Sequence, residues 1–208
     1  MNVYGELAID DRANNKTTFE SIATHYWHTS AYLWGIKKQI VINNYILDIN
    51  FEWYNSEMSQ DMQVQWYYSF GFHNLIQQGY TNSGQYLGSG SGYGGQGQFL
   101  KIKLLYPKGF SSLYFYRNQP DNDYLFKESI YDKANPNLGD QSDLHKRTWN
   151  CYKTYFSIGF ESVFYKKNFV FQYGIIYTLI INPLYKSEPR YEKWNNFTFL
   201  LSVKYNLF

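Results

Sequence analysis

Between Gly90 and Gly95 the chain reads Gly-Ser-Gly-Tyr-Gly-Gly, which satisfies G-x-G-x-x-G. That pattern can cradle a pyrophosphate when a buried strand precedes it and a helix follows, so that the helix N-terminus meets the phosphate. Here "GQGQFLKIKLLYPKG" follows, an alternating segment of strand type, and six glycines across 88–98 disfavour a helix. No acidic residue stands about 20 positions further on to hold a ribose. The glycines therefore read as a loop tip that uses their freedom for turns. His25 and His28 are three apart and point to opposite sides of a strand, and His73 and His145 have no repeated ligand pattern around them. No metal or cofactor is expected. A serine hydrolase in a sheet wall stays open as an enzymatic alternative, but G-x-S-x-G does not occur. Cys151 is the single cysteine, so no intrachain disulfide is possible.

The remaining chemistry is charge. Glu6, Asp48, Glu52, Lys101, Lys103, Lys153 and Glu161 all fall at the polar positions of alternating segments. Both signs occur among them, which favours internal ion pairs over a charge-selective pore. The chain's net charge of +2 gives no reason to expect a nucleic-acid partner.

The segments that carry these residues alternate with period two. In "NFVFQYGIIYTLIIN" (168–182) every odd position from Phe169 to Ile181 is apolar. Tyr45, Leu47, Ile49, Phe51 and Trp53 oppose Asp48, Asn50 and Glu52. Leu100, Ile102, Leu104 and Tyr106 oppose Lys101 and Lys103, and Tyr32, Trp34 and Ile36 oppose Gly35 and Lys37. Tyr152, Phe156, Ile158, Phe160 and Phe164 oppose Lys153, Ser157, Gly159 and Glu161. Phe197 to Leu207 repeat the pattern, while 3–9 and 109–117 are weaker strands. Aromatics make up 22% of the 208 residues and charged residues only 17%, yet mean hydropathy is −0.51. High aromatic content without a helical span suits either a soluble aromatic-rich β domain or an outer-membrane barrel, whose strands alternate and so average as polar.

Loop lengths favour the second. Connections at 10–30, 56–94, 118–150 and 183–193 are long and those between them, at 40–43, 107–108 and Lys167, are short, as in barrels with long outer loops and short inner turns. Tyr and Trp crowd the strand ends like an aromatic girdle. A candidate strand at 62–72 would break the alternation and is placed in the outer or lumenal region. The expectation is an all-β fold: an antiparallel transmembrane β-barrel of the outer-membrane type, in a single domain over 1–208 with about eight strands. No signal peptide precedes the abrupt first strand, which points to the C-terminal part of a larger barrel. A terminal Phe suits recognition by the barrel-assembly machinery, but Phe208 shares parity with Lys204 and Asn206 rather than with the apolar face.

"GFHNLIQQGYTNSGQYLGSGSGYGG" (71–95) and "YGELAIDD" (4–11) resemble stretches of the Wzi capsule-assembly outer-membrane proteins. The matching positions are His73, Gly79, Tyr80, Gly84, Leu87 and Gly88, with Tyr4, Gly5, Glu6 and Asp10. "GYTNSG" departs from the pattern by lacking a second aromatic and a basic residue. The resemblance implies a barrel of about 18 strands in the bacterial outer membrane, not an enzyme, which binds capsular or other surface polysaccharide and helps assemble or attach the capsule. Glycan-binding candidates are then His73, Gly79, Tyr80, Gly84, Tyr86, Gly88 and Tyr93, since aromatic faces and short polar groups suit sugars. A diffusion porin is the alternative of a different class.

Overall fold

A computed structural model describes residues 1–9, 30–59, 94–123, 152–185 and 192–205, together with the backbone of 81–82 and 85–86. Its strands are β1 (Asn2–Ile9), β2 (Ser30–Ile42), β3 (Tyr45–Asn55), β4 (Thr81–Asn82), β5 (Gln85–Tyr86), β6 (Gln96–Tyr106), β7 (Gly109–Gln119), β8 (Thr154–Lys166), β9 (Phe169–Ile181) and β10 (Lys193–Tyr205). Eight of them form one antiparallel sheet in the order β1-β2-β3-β6-β7-β8-β9-β10, and β4 and β5 form a two-stranded ladder of their own. Every neighbour in the large sheet is also its neighbour in sequence once β4 and β5 are set aside, so the topology is an up-and-down meander. Among the described residues β1 and β10 are its unpaired edges. No helix there is long and apolar enough to cross a membrane, which says nothing about strands.

The alternating segments are the observed strands, the two weaker ones included. The expected turn at 40–43 shrinks to Asn43–Asn44, because Ile40 and Ile42 continue the alternation of β2 and Asn43 supplies the left-handed turn residue with φ 52°. Lys167 takes the same conformation, also with φ 52°, at the β8–β9 hairpin. The third tight turn, Pro107–Lys108, is closed by Gly109. Short and long connections alternate along the whole meander. The segment 62–72 and Phe208 lie outside the described residues.

The register puts all the apolar parities on one side. Ile36, Phe51, Leu100, Phe115, Ile158, Tyr177 and Phe197 are successive partners across seven strands. Ile49, Ile102, Leu113, Phe160, Ile175 and Phe199 form the next such row, which on β2 is completed by the exposed Lys38. The other face carries Asp48, Asn50, Glu52, Lys101, Lys103, Ser112, Glu161, Gln172 and Ser202. Burial runs opposite to that of a water-soluble sheet. Leu113 is 49% exposed, Ile158 50% and Phe199 74%, whereas Ser112 is 2% and Asn118 7% exposed. The only buried large apolar side chains among the described residues are Met58 and Val163. In its central strands the sheet therefore shields its polar face and presents its apolar one, whereas the edge strands β1 and β10 expose both; the apolar extent is far beyond the single scattered side chains that soluble surfaces carry.

Rings mark both ends of that apolar face. Tyr32, Trp34 and Trp53 meet edge-on near the long-loop end, with centroids 5.7 Å apart for Tyr32–Trp53 and 5.6 Å for Trp34–Trp53. Phe169, Phe171 and Tyr205 cluster near the short-turn end, at 5.9 Å and 4.9 Å from Phe169. Between the two groups aliphatic and aromatic side chains are mixed, with Tyr177 and Phe197 in contact at 4.9 Å.

The polar face repeats one contact. Tyr4 stands opposite Gly35, Tyr54 opposite Gly97 and Tyr114 opposite Gly159. In each pair the tyrosine ring occupies the space a side chain would fill, and a Cβ on the glycine would come within 2.4, 2.5 and 2.2 Å of it respectively. The first two phenols then bond the strand beyond: Tyr4 donates to Glu52, and Tyr54 donates to Asn118 Oδ1 at 2.7 Å.

Candidate functional site

Where the long connections leave the sheet, three of their bases are joined. β3 ends at Asn55, whose Oδ1 accepts the Glu57 N–H at 2.7 Å and turns the chain inward. Ser56 then meets Gly95. Its N–H and hydroxyl both donate to the Gly95 carbonyl, at 2.9 and 3.2 Å, and its Oγ accepts the Gly95 N–H at 3.2 Å. Beyond β7, Pro120–Asp123 folds back to the same place. The Asp123 carboxylate accepts the Met58 N–H at 3.2 Å on both oxygens, and the Asp123 N–H donates to Gly94 O at 3.3 Å. The Asn122 amide donates to Glu57 Oε2 at 3.2 Å, and Gln96 Nε2 reaches the same oxygen at 3.5 Å. Asn122 is fully buried and Asp123 is 5% exposed, so the node has a buried polar centre, while Glu57 and Gln96 at its edge are half-exposed.

Gly94 is the residue that lets the segments approach. It has φ +63°, and a Cβ there would lie 1.9 Å from Asp123 Oδ2. The glycine run thus enters strand β6, not a helix, and its described end packs against a carboxylate. Gly94→Ala is expected to lower stability by about 2 kcal/mol, read as a lowered denaturation midpoint, because backbone strain adds to displacement of a buried hydrogen-bonded carboxylate. An unchanged midpoint would mean that the node contributes nothing.

A second contact lies beside it. The Tyr185 hydroxyl donates to Asp121 Oδ2 at 3.2 Å, and the Lys153 ammonium lies over the Tyr155 and Tyr185 rings at 5.0 and 5.2 Å. Tyr185 follows β9, where Asn182 donates its N–H to Glu192 O at 2.9 Å and ties the fourth long connection. Burial, and then the Asp121 carboxylate, raise the Tyr185 phenol above its usual range. A phenol whose folded pKa is raised contributes stability that is fully present below about pH 10 and is lost as pH climbs through the folded value. Unfolding midpoints should hold to about pH 10 and fall above it. Tyr185→Phe should flatten part of that fall relative to the parent chain.

Along the polar face the charged residues are paired and braced. Lys37 meets Asp48 at 3.8 Å, and Lys101 meets Glu161 at 3.9 Å, with Gln172 donating to Glu161 at 2.9 Å. Lys103 caps the Phe110 ring at 4.0 Å, and Asn50 donates to Glu52 at 3.3 Å. Asp48, Glu52, Lys101, Lys103 and Glu161 thus share one face as expected, and Glu6 lies on that face in β1. Lys153 stands one residue before β8, and its ammonium lies over Tyr155, a residue of that same face, and over Tyr185.

Of the glycan candidates, His73, Gly79, Tyr80, Gly84, Gly88 and Tyr93 lie outside the described residues. Tyr86 is seen only as backbone, paired with Thr81. The four histidines and Cys151 also lie outside them. No group of three or more metal-ligating side chains occurs among the described residues. Sequence reasoning missed the node of Ser56, Glu57, Asn122 and Asp123. Its one local signal was the turn-forming run "QPDND" (119–123) beside "NSE" (55–57). No family model, curated protein or solved structure matches the chain.

Proposed function

We propose that this chain is an outer-membrane β-barrel protein, or part of one, that binds a surface polysaccharide at its long-loop end and helps hold capsule on the cell. The observation that carries the membrane half is the inverted polarity: a largely apolar face exposed along the sheet, with the polar face shielded through its central strands β3 to β9. Such a face in water would be a large aggregation surface, and in lipid it needs no further partner. The ring clusters at both ends of the apolar rows support the same reading. The polysaccharide half rests on the likeness of 71–95 and 4–11 to capsule-assembly proteins and on loops rich in Tyr, Asn and Gln. The tied loop bases support it by giving those loops a fixed footing.

The test is retention of capsular polysaccharide by the reconstituted chain. His73→Ala or Tyr80→Ala should weaken retention about fivefold, the scale of one lost aromatic or charge-assisted contact. Equal retention by parent and variants would remove the role assigned to those residues. The porin alternative draws on the polar face, but the pairing of Lys37 with Asp48 and of Lys101 with Glu161 opposes an open charged lumen. Steady conductance steps in planar bilayers would favour the porin instead.

A further inference from the structure

The two ends of the apolar face differ in chemistry. At the short-turn end the outward side chains are Ile42, Tyr45, Tyr106, Phe164, Phe171 and Val203. The two hydroxyls just inside that end, Ser111 and Ser162, bond each other at 2.9 Å. At the long-loop end, the same face changes abruptly beyond the row of Leu100 and Phe115. The next partners on β6 and β7 are Gln98 and Arg117, and then Gln96 and Gln119. Thr154 on β8 and Asn195 and Lys193 on β10 continue this rim, whose rows also hold Trp34, Trp53, Phe156, Leu179 and Ile181.

The rim is partly pre-ordered. Arg117 Nη1 donates to Gln98 Oε1 at 2.8 Å, Gln119 Nε2 donates to Thr154 Oγ1 at 2.9 Å, and the Tyr177 hydroxyl donates to Asn195 Oδ1 at 2.7 Å. Arg117 spends one nitrogen on Gln98 and keeps the rest of its guanidinium donors, while each amide keeps free donor or acceptor capacity. Asn195 and Lys193 are exposed, and Gln96, Gln98, Arg117 and Gln119 are half-exposed, so the rim is accessible.

A plain phospholipid boundary is met by aromatic rings and aliphatic side chains, as at the short-turn end. A rim of amides around an arginine suits a head group that offers sugar hydroxyls and phosphate together, with the planar guanidinium matching phosphate oxygens. We infer that this rim seats the head groups of a phosphorylated glycolipid in the leaflet on the long-loop side. The inference rests on the membrane reading above and adds that the two leaflets this protein meets are chemically different.

The test uses the full chain refolded into vesicles of phosphatidylethanolamine and phosphatidylglycerol, with and without lipopolysaccharide. Insertion is read by protease protection and by heat-modifiable migration. Glycolipid contact is read by lipopolysaccharide retained after detergent extraction and by emission from Trp34 and Trp53, which stand at this end. Arg117→Gln combined with Gln98→Ala should cut retention about tenfold, the scale of a lost charge-assisted contact, with insertion unchanged. Lys166→Gln at the opposite end should leave retention as it is. Gln119→Ala, a milder change on the same rim, should reduce retention in the same direction if the double variant folds poorly. Inserted variants that retain lipopolysaccharide as the parent does would overturn the rim assignment. Failure of the parent chain to insert in either vesicle would overturn the membrane reading beneath it.

Discussion

Leu113→Arg will lower the stability of the chain in a bilayer, although Leu113 is already 49% exposed and touches no buried core. In a water-soluble sheet, an exposed position of this kind tolerates substitution to within about 0.5 kcal/mol. On the lipid face of a barrel, arginine near the midplane costs about 2–4 kcal/mol. Leu113 sits in the row of Ile102, Phe160 and Ile175, between the two ring clusters, so the full penalty applies. Against a total stability of about 5–15 kcal/mol, that loss should appear as a clear fall in the folded, heat-modifiable fraction in vesicles. Lys103→Arg on the opposite face should leave the fraction unchanged. If the two variants fold equally well in lipid and in water, the apolar face does not meet acyl chains.

Gly109→Ala is expected to be the most damaging single change on the polypeptide backbone. Gly109 opens β7 with φ 150°, and a Cβ there would lie 1.9 Å from Val163 O in the neighbouring strand. That obstacle is main chain, so no side-chain rotation relieves it. The neighbouring bond, from the Tyr165 N–H to Lys108 O at 2.7 Å, pins the same corner. Strained backbone and a displaced ladder together should cost about 3 kcal/mol or more. Denaturant unfolding in micelles should show the lowered midpoint. A midpoint equal to the parent's would mean that the β7–β8 corner can move without cost.

Most of the sheet was legible because its information is local and periodic. The parity of Phe51 or Ile175 follows from the residues on either side, and the tight turns announce themselves through Asn43, Pro107 and Lys167 with their flanks. The end of β2 was misplaced because Ile40 and Ile42 carry strand pattern up to the last position before the asparagines. The loop-end node was not legible, since nothing adjacent to Gly94 announces that a carboxylate 29 positions later will fill the space above it. Likewise, Ser56 reads as an ordinary loop serine until Gly95 is brought to it from across the sheet. Lys153 has the parity of the polar face, and its ammonium lies over Tyr155 of that face although β8 starts one residue later.

Alternation alone has a blind spot that the tyrosine–glycine pairs remove. If one strand slides past its neighbour by two residues, every side chain keeps its face, so neither the apolar rows nor the polar face registers the error. The pairs do. Sliding β2 by two places brings Leu33 or Lys37 beneath the Tyr4 ring in place of Gly35, and the ring has no room for their Cβ atoms. The same holds for Ser157 or Glu161 replacing Gly159 under Tyr114, while under Tyr54 a slide toward Phe99 is blocked but one toward Gly95 is not. Because the Tyr4 and Tyr54 phenols bond the strand beyond the glycine, each also checks where the next hairpin has docked. The three pairs act as keys that narrow the stagger at β1–β2, β3–β6 and β7–β8, and so constrain the strand tilt that any closed form of this sheet would inherit.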